Sequence, residues 1–323
     1  MVEISEDTRE VAWHPRFAKA VIGHNVAREN FIKAFASGRP HHAWLISGTK
    51  GIGKATLAYH LAGHVLGGSS QTRRWIEARA HPDLLVLERQ LNDAKPRKLK
   101  AEISVEDARG LGVFLARTAS SNWRVVLIDA ADDLSSESAN AILKLVEEPP
   151  SKTLIFLISH QPGRLLRTLK SRCLKLGLQG LANADVVNII NSLPLDVQPQ
   201  PEALIHAVAK VRGSTGEALA LMHSVGAKAF DKFAANQRPK LSVLTSITAE
   251  LGGKAQGPDQ FNIFADLLLG HIAQQAAARG SAKAAEAYHT LSQNLRVAEG
   301  FNLDRKQTAL EAMRLATDAL KQT

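Results

Sequence analysis

The chain has almost no cysteine: among its 323 residues only Cys173 carries a thiol. A single cysteine cannot form a disulfide within the chain, and it excludes a zinc site built from several cysteines. A chain without disulfides is typical of a reducing compartment. We therefore expect a cytoplasmic protein that holds no zinc.

Long apolar runs are missing as well. None approaches the roughly 20 consecutive apolar residues that a membrane-spanning helix needs. The first residues, MVEISEDTREV, are too acidic and too polar for a secretory signal peptide. The sequence therefore predicts no membrane partner.

Aromatic residues are scarce, at 5% of the chain, although 45% of the residues are hydrophobic. That composition favours helices over β-sandwiches. The formal net charge of +9 indicates a polyanionic partner such as nucleic acid, although a charge that only maintains solubility would look the same. Basic residues cluster at residues 95–100 and 164–175 with no aromatic residue between them. We therefore expect contacts to phosphates and no stacking on bases.

Strand and helix patterns alternate along the first half of the chain. Short apolar runs at residues 43–47, 84–87, 125–129, 154–159 and 174–178 predict buried strands. Amphipathic helical segments lie between them, and one is predicted to begin with a capping box formed by Ser104 and Asp107. Strands that alternate with helices predict a parallel α/β sheet with right-handed crossovers.

Strand patterns end after residue 180, and helical patterns continue to the C-terminus. Three short helices are predicted within residues 184–221, and longer ones at residues 241–251, 261–278, 282–298 and 304–320. We expect three domains: an α/β nucleotide-fold domain at residues 1–178, a small helical domain at 179–225 and an all-α domain at 226–323.

A glycine-rich loop, GTKGIGKA at residues 48–55, lies between the first strand and a helix. It fits the P-loop pattern GxxxxGK(S/T), in which backbone N–H groups surround phosphates and the lysine adds a positive charge. Ala55 stands where the pattern requires the hydroxyl that binds magnesium, and Thr56 is rotated by about 100° around the helix. We predict that ATP or ADP binds, with magnesium held weakly or not at all. The predicted binding residues are Gly48, Gly51, Gly53, Lys54, Ala55 and Thr56.

Two strand ends are expected to complete this site. Asp129 ends the strand VVLID, where a carboxylate can reach magnesium or its water, although it can also be an ordinary strand cap. Ala130 follows, where many P-loop ATPases carry a glutamate that positions water. Ser159 ends the next strand, where it either senses the γ-phosphate or faces solvent. These positions predict a nucleotide site without a catalytic base.

Arg172 lies between a basic helical segment and the last strand, in the sequence Ser171-Arg172-Cys173. A guanidinium at a subunit boundary can stabilise the charge of a γ-phosphate held by a neighbouring subunit. The residues alone leave open that Arg172 is one more surface arginine.

Several segments together resemble bacterial clamp-loader subunits of the AAA+ class. They are RPHHAWLISG (residues 39–48), HPD (81–83), NAILKLVEEPP (140–150), LKSRC (169–173) and NLDRKQ (302–307). The resemblance covers almost the whole chain. It implies an AAA+ P-loop domain, a helical lid and a helical collar that forms a ring with other subunits. It also implies that Arg172 is an arginine finger acting in trans.

The departures from the family pattern concern the chemistry. Gly216 stands in the lid motif Gly213-Ser214-Thr215-Gly216, where the family carries a nucleotide-sensing arginine, and residues 67–80 lack the cysteines of the zinc module found in many relatives. Ala55, Ala130 and Gly216 all indicate a subunit that does not hydrolyse ATP itself. The resemblance then implies a stator subunit that helps to load the sliding clamp onto primed DNA. The resemblance implies gamma/tau and delta clamp-loader subunits as partners. The alternatives are a gamma/tau-like motor that hydrolyses ATP and a stand-alone P-loop kinase or ATPase.

Overall fold

The computed structural model describes residues 13–92, 99–194, 201–236, 239–251, 259–279, 282–300 and 304–321. The chain divides into two compact units. The first comprises Met1–Leu195 with Gly213–Gly216, and the second comprises Asp196–Arg212 with Glu217–Thr323. The three-domain division stays a prediction. The basic residues 95–98 and the beginning of the NLDRKQ segment lie outside the described residues.

A single parallel sheet forms the centre of the first unit. Its strands are β1 (Ala43–Ser47), β2 (Leu84–Glu88), β3 (Arg124–Asp129), β4 (Thr153–Ser159) and β5 (Leu174–Gly177). They are arranged in the order β2-β3-β4-β1-β5, and every neighbouring pair is parallel. The predicted parallel α/β fold and the adjacency of β3 and β4 are confirmed.

Helices cover both faces of this sheet. They are α1 (Asn25–Ala36), α2 (Lys54–Val65), α3 (Ser70–Glu77), α4 (Val105–Ala116), α5 (Ser136–Glu147) and α6 (Arg167–Ser171). Helix α7 (Asn183–Asn191) follows the last strand in the same unit. Successive side chains of a strand point to opposite faces, so β4 contributes Phe156 to the core beneath α1 and α2 and Leu157 to the core beneath α4 and α5. Residues of β1, β3 and β4 are almost completely buried, as expected for central parallel strands.

The rest of the described chain is helical. It contains α8 (Pro201–Lys210), α9 (Thr215–Met222), α10 (Val225–Ala234), α11 (Leu241–Leu251), α12 (Asp259–Arg279), α13 (Ala282–Gly300) and α14 (Arg305–Lys321). Helices α10 to α14 share one apolar core, in which Phe230, Phe264 and Met313 are fully buried. The predicted helical C-terminal half is therefore confirmed, and it has a core of its own.

Candidate nucleotide site and exposed arginine

The loop at residues 48–53 has the backbone conformation that its glycines permit. Gly48, Gly51 and Gly53 have φ values of 151°, 78° and 98°, a region that residues with a side chain rarely adopt. A Cβ atom on Gly48 would lie 2.6 Å from the carbonyl oxygen of Leu178. The loop leads directly into the first turn of α2, so the glycines predicted to bind phosphate occupy positions where only glycine fits without strain.

The donors of this loop are available to a ligand. Within the described part of the chain, none of the backbone N–H groups of residues 49–54 donates to another protein group. The N-terminus of α2 adds the positive end of a helix dipole. Free N–H groups at a helix N-terminus are an anion-binding arrangement, so the loop retains the geometry that binds phosphate.

The Lys54 ammonium is buried and bonded to the loop itself. Its side chain is 3% exposed, and its Nζ donates to the carbonyl oxygens of Gly48 at 2.8 Å and Thr49 at 2.5 Å. Burial lowers the pKa of Lys54 to about 8, against the opposing attraction of Asp129 and Asp132. A bound phosphate would add negative charge beside this amine and favour its protonated form.

The first turn of α2 lacks a hydroxyl at the position next to Lys54. Ala55 packs its methyl group against the core below the sheet, and Thr56 is only partly buried on the next position of the helix. Position 55 therefore offers no hydroxyl that could bind magnesium.

Asp129 stands at the carboxyl end of β3 beside a second acidic residue. In the parallel pairing of β2 with β3, Glu88 lies opposite Asp129. Burial, with the negative charge of Glu88 in addition, raises the pKa of Asp129 to about 6, although Lys54 opposes this shift. Two carboxylates therefore share this edge of the sheet, and Glu88 forms an ion pair with Arg79 at 2.6 Å.

Ser159 is fully buried at the end of β4, and its hydroxyl already has a partner. Its Oγ donates to Asp132 at 2.8 Å, and the same carboxylate accepts the backbone N–H groups of His160 and Gln161. Asp132, in the 3₁₀ turn Ala131–Asp133 after β3, thus fixes the end of β4. To sense a phosphate, Ser159 would have to redirect its one O–H donor from Asp132 to a phosphate oxygen, because phosphate oxygens accept hydrogen bonds.

The segment Gly213–Gly216 contacts the back of the glycine loop. Ser214 donates its hydroxyl to the carbonyl of Lys50 at 2.8 Å, and the N–H of Gly216 donates to the carbonyl of Gly51 at 2.9 Å. A Cβ atom on Gly216 would lie 2.8 Å from the Cα of Gly51, which is too close. The missing arginine of the lid motif therefore has a packing reason: this backbone contact leaves no room for a side chain.

Arg172 lies on the surface after α6, with about 40% of its side chain exposed. One terminal nitrogen, Nη2, forms an ion pair with Glu147 at 2.9 Å, and Nη1 donates to the carbonyl of Thr168 at 3.0 Å. Cys173, the next residue, is buried, and burial raises the pKa of its thiol to about 11. The two bonds thus hold the guanidinium of Arg172 at a defined place on the surface, and the buried side chain of Cys173 fixes the backbone next to it.

The structure brings most of the predicted site residues together. The loop follows β1, while Asp129 and Ser159 end β3 and β4, so all three stand at the carboxyl edge of one parallel sheet, where α/β proteins bind ligands. Arg172 belongs to the connection into the edge strand β5, and within the described ranges it bonds to Glu147 and Thr168 and not to the glycine loop.

Sequence reasoning missed the side chains that act as partners. Glu88, Asp132 and Glu147 each contact or perturb a predicted residue, and Ser214 bonds to the carbonyl of Lys50 within the glycine loop. Asp132 carries a local signal, since it follows an acidic strand end. The others become neighbours only through the sheet register and through packing of distant segments.

No metal centre or membrane span occurs among the residues that the structure describes. No group of three or more histidine, cysteine, aspartate or glutamate side chains is placed to hold a metal ion there. The helices within the described ranges are likewise too short or too polar to cross a bilayer.

Comparison with known proteins relates this chain to replication proteins. Residues 23–182 match the family described as DNA polymerase III, delta subunit. The chain is similar to subunit delta' of DNA polymerase III from Pseudomonas aeruginosa, with 40% identity over 42% of this chain and 42% of the relative. It is also similar to subunit delta' from Escherichia coli, with 34% identity over 60% of this chain and 58% of the relative. Subunit tau from E. coli is 32% identical over 65% of this chain and 33% of its own length. The chain thus spans about half the length of the delta' relatives that it matches.

Proposed function

We propose that this chain is the stator of a bacterial clamp loader, because its residues 23–182 match the family described as DNA polymerase III, delta subunit, and it is similar to delta' subunits. In this role it helps to load the sliding clamp onto primed DNA. It assembles with gamma/tau and delta subunits, and it supplies Arg172 to the ATP held by a neighbouring gamma/tau subunit.

The exposed guanidinium of Arg172 is the observation that carries this proposal. Arg172 keeps about 40% of its side chain in solvent while bonds to Glu147 and Thr168 hold its guanidinium at a defined place, where the phosphate of a neighbouring subunit could reach it. A planar fork of N–H donors matches phosphate oxygens in a way that a lysine cannot. The chain's own site meanwhile lacks the magnesium hydroxyl at Ala55 and the water-positioning carboxylate at Ala130.

Phosphate-release assays on a reconstituted complex with gamma/tau and delta subunits test this role. We expect Arg172→Ala to assemble normally and to lower ATP hydrolysis at the facing site by at least 10³-fold, the lower range for arginine fingers. Arg172→Lys should rescue poorly, and Arg167→Ala, a matched change of an exposed arginine on α6, should hydrolyse ATP at the wild-type rate. Hydrolysis by Arg172→Ala complexes at the wild-type rate would contradict the finger role.

A gamma/tau-like subunit that hydrolyses ATP itself is the second candidate. Similarity to gamma and tau subunits, at 32% identity for both the tau subunit of E. coli and a gamma subunit from Buchnera aphidicola, favours it. The isolated chain separates the two functions: the stator should release phosphate far more slowly than about 1 s⁻¹, the low end of common enzyme turnover, and the motor should approach that rate.

A further inference from the structure

The ion pair between Glu147 and Arg172 joins two segments that lie apart in the sequence. Glu147 is the last residue of α5, within the segment NAILKLVEEPP, and Arg172 follows α6. The Oε1 of Glu147 lies 2.9 Å from the Nη2 of Arg172, and both side chains are about 40% exposed. The two segments therefore meet on the surface at the arginine to which the proposed function assigns the contact with phosphate.

Glu147 stands at a position where a negative charge lowers the stability of the helix. A carboxylate at the C-terminus of a helix faces the negative end of the helix dipole, where cations are favoured. Glu148 follows directly and adds a second negative charge. Lys144 in the last turn of α5 and the guanidinium of Arg172 both offset this negative charge, and Arg172 does so through direct contact with Glu147.

The contacts on Arg172 leave part of its donor set uncommitted. A guanidinium carries five N–H donors. One on Nη2 is directed at Glu147 and one on Nη1 at the carbonyl of Thr168, which leaves Nε and one hydrogen on each terminal nitrogen. A carboxylate and a phosphate present similar pairs of oxygens to this fork. Glu147 uses one of its oxygens to occupy one donor of Arg172, and a phosphate oxygen could take the same place.

We propose that Glu147 is a positioning residue for Arg172: it holds the guanidinium in place until the phosphate of a nucleotide bound to a neighbouring subunit displaces it. This inference rests on the proposed finger role of Arg172. An exposed ion pair is weak, so the exchange needs no rearrangement of the fold. The negative charge of Glu147 competes with the phosphate for the same donors and lowers the apparent affinity of the facing site for ATP.

The first test needs only the isolated chain. Nitrogen-15 NMR of arginine side chains should show restricted rotation of the Arg172 guanidinium in the wild type and faster rotation in Glu147→Gln, which keeps the shape and removes the charge. Glu148→Gln is the matched control, since Glu148 is exposed and forms no ion pair among the described residues. Equal rotation of Arg172 in all three proteins would overturn the proposal.

The second test uses the reconstituted complex. Glu147→Gln should lower the KM for ATP by about two- to fivefold, the range expected for loss of an exposed ion pair, and should leave kcat within about twofold. In an Arg172→Ala background, where hydrolysis at the facing site is lost, the same change should leave the affinity for ATP unchanged in an equilibrium binding measurement. An unchanged KM, or a fall in kcat alone, would contradict displacement by phosphate.

The two proposals fail in different ways. If Arg172→Ala hydrolyses ATP normally, the finger role is wrong whatever Glu147 does. If Arg172→Ala is inactive while Glu147→Gln behaves like the wild type in both tests, only the role of Glu147 is wrong.

Discussion

Lys54 links nucleotide binding to pH at the scale of a single residue. Its pKa of about 8 means that a substantial part of the amine is neutral above that pH, and phosphate binds the charged form. We expect binding of ATP or ADP to take up protons at pH 8.5, and its affinity to fall by up to about tenfold for each pH unit above 8. Titration calorimetry in buffers with different ionisation enthalpies measures this uptake.

Variants of Lys54 define the control for that experiment. Lys54→Ala should abolish binding, whereas Lys33→Ala, an exposed change on α1, should not alter it. Because no hydroxyl stands at position 55, chelation of magnesium should have little effect on affinity. Equal heats for the wild type and Lys54→Ala would mean that the loop no longer binds nucleotide.

The carboxylate of Asp129 is expected to destabilise the folded protein near neutral pH. Its pKa is raised to about 6, so between about pH 4 and pH 6 the folded state keeps a proton that the unfolded state has lost. The free energy of unfolding therefore falls as the pH rises through this window, by at most about 3 kcal/mol.

Asp129→Asn removes that effect because an amide cannot ionise. We expect a gain in unfolding free energy of about 1–3 kcal/mol at pH 7.5 and a smaller gain at pH 4.5. The loss of attraction to Lys54 limits the benefit. Denaturant titrations at both pH values measure it, with Glu29→Gln on the surface of α1 as the control. A benefit that is the same at both pH values would show that the effect is not due to ionisation.

Substitution of Gly216 tests the contact between the lid motif and the glycine loop. A Cβ atom at position 216 would lie 2.8 Å from the Cα of Gly51. We therefore expect Gly216→Ala to lower the free energy of unfolding by about 1–3 kcal/mol, the usual cost of overpacking. Gly163→Ala, at a glycine with open space around it, should change it by less than about 0.5 kcal/mol. Thermal melts that gave the same loss for both would rule out the steric explanation.

At the scale of the element, α4 owes its start to a reciprocal cap. Ser104 accepts the N–H of Asp107 through its side chain, and the carboxylate of Asp107 accepts the N–H of Ser104 at 2.9 Å. Ser104→Ala should lower the free energy of unfolding by about 1 kcal/mol. Ser246→Ala, exposed within α11, should have a much smaller effect in the same denaturant titration.

Elements could be predicted from the sequence where one pattern sufficed. The five strands and the capping box of Ser104 were identified because apolar runs and cap residues are local signals. Helices α1 and α3 were missed, since α3 reads SQTRRWIE, with few apolar residues to reveal its period. The pair Glu147–Arg172 and the contact Gly216–Gly51 depend on tertiary packing between distant segments, which no local pattern encodes.

At the scale of the whole molecule, the core of the C-terminal helices is separate from the two cores of the sheet, which predicts two separable roles. The core of α10 to α14 shares no residue with the cores on the two faces of the sheet. We expect removal of residues 226–323 to leave the α/β unit folded, with a cooperative melt by circular dichroism, and to abolish co-purification with gamma/tau and delta subunits. Full-length Arg172→Ala should still co-purify. Retained association after the truncation would exclude the helical region as the site of assembly.

The close approach of Gly216 to Gly51 restricts which residues position 216 can carry. An arginine at position 216 would force the segment 213–216 away from the glycine loop. That movement would break the bond from the N–H of residue 216 to the carbonyl of Gly51. The protein with arginine at position 216 would be less stable and would still lack the hydroxyl at position 55. A single substitution to arginine at position 216 is therefore expected to lower stability without restoring a magnesium ligand.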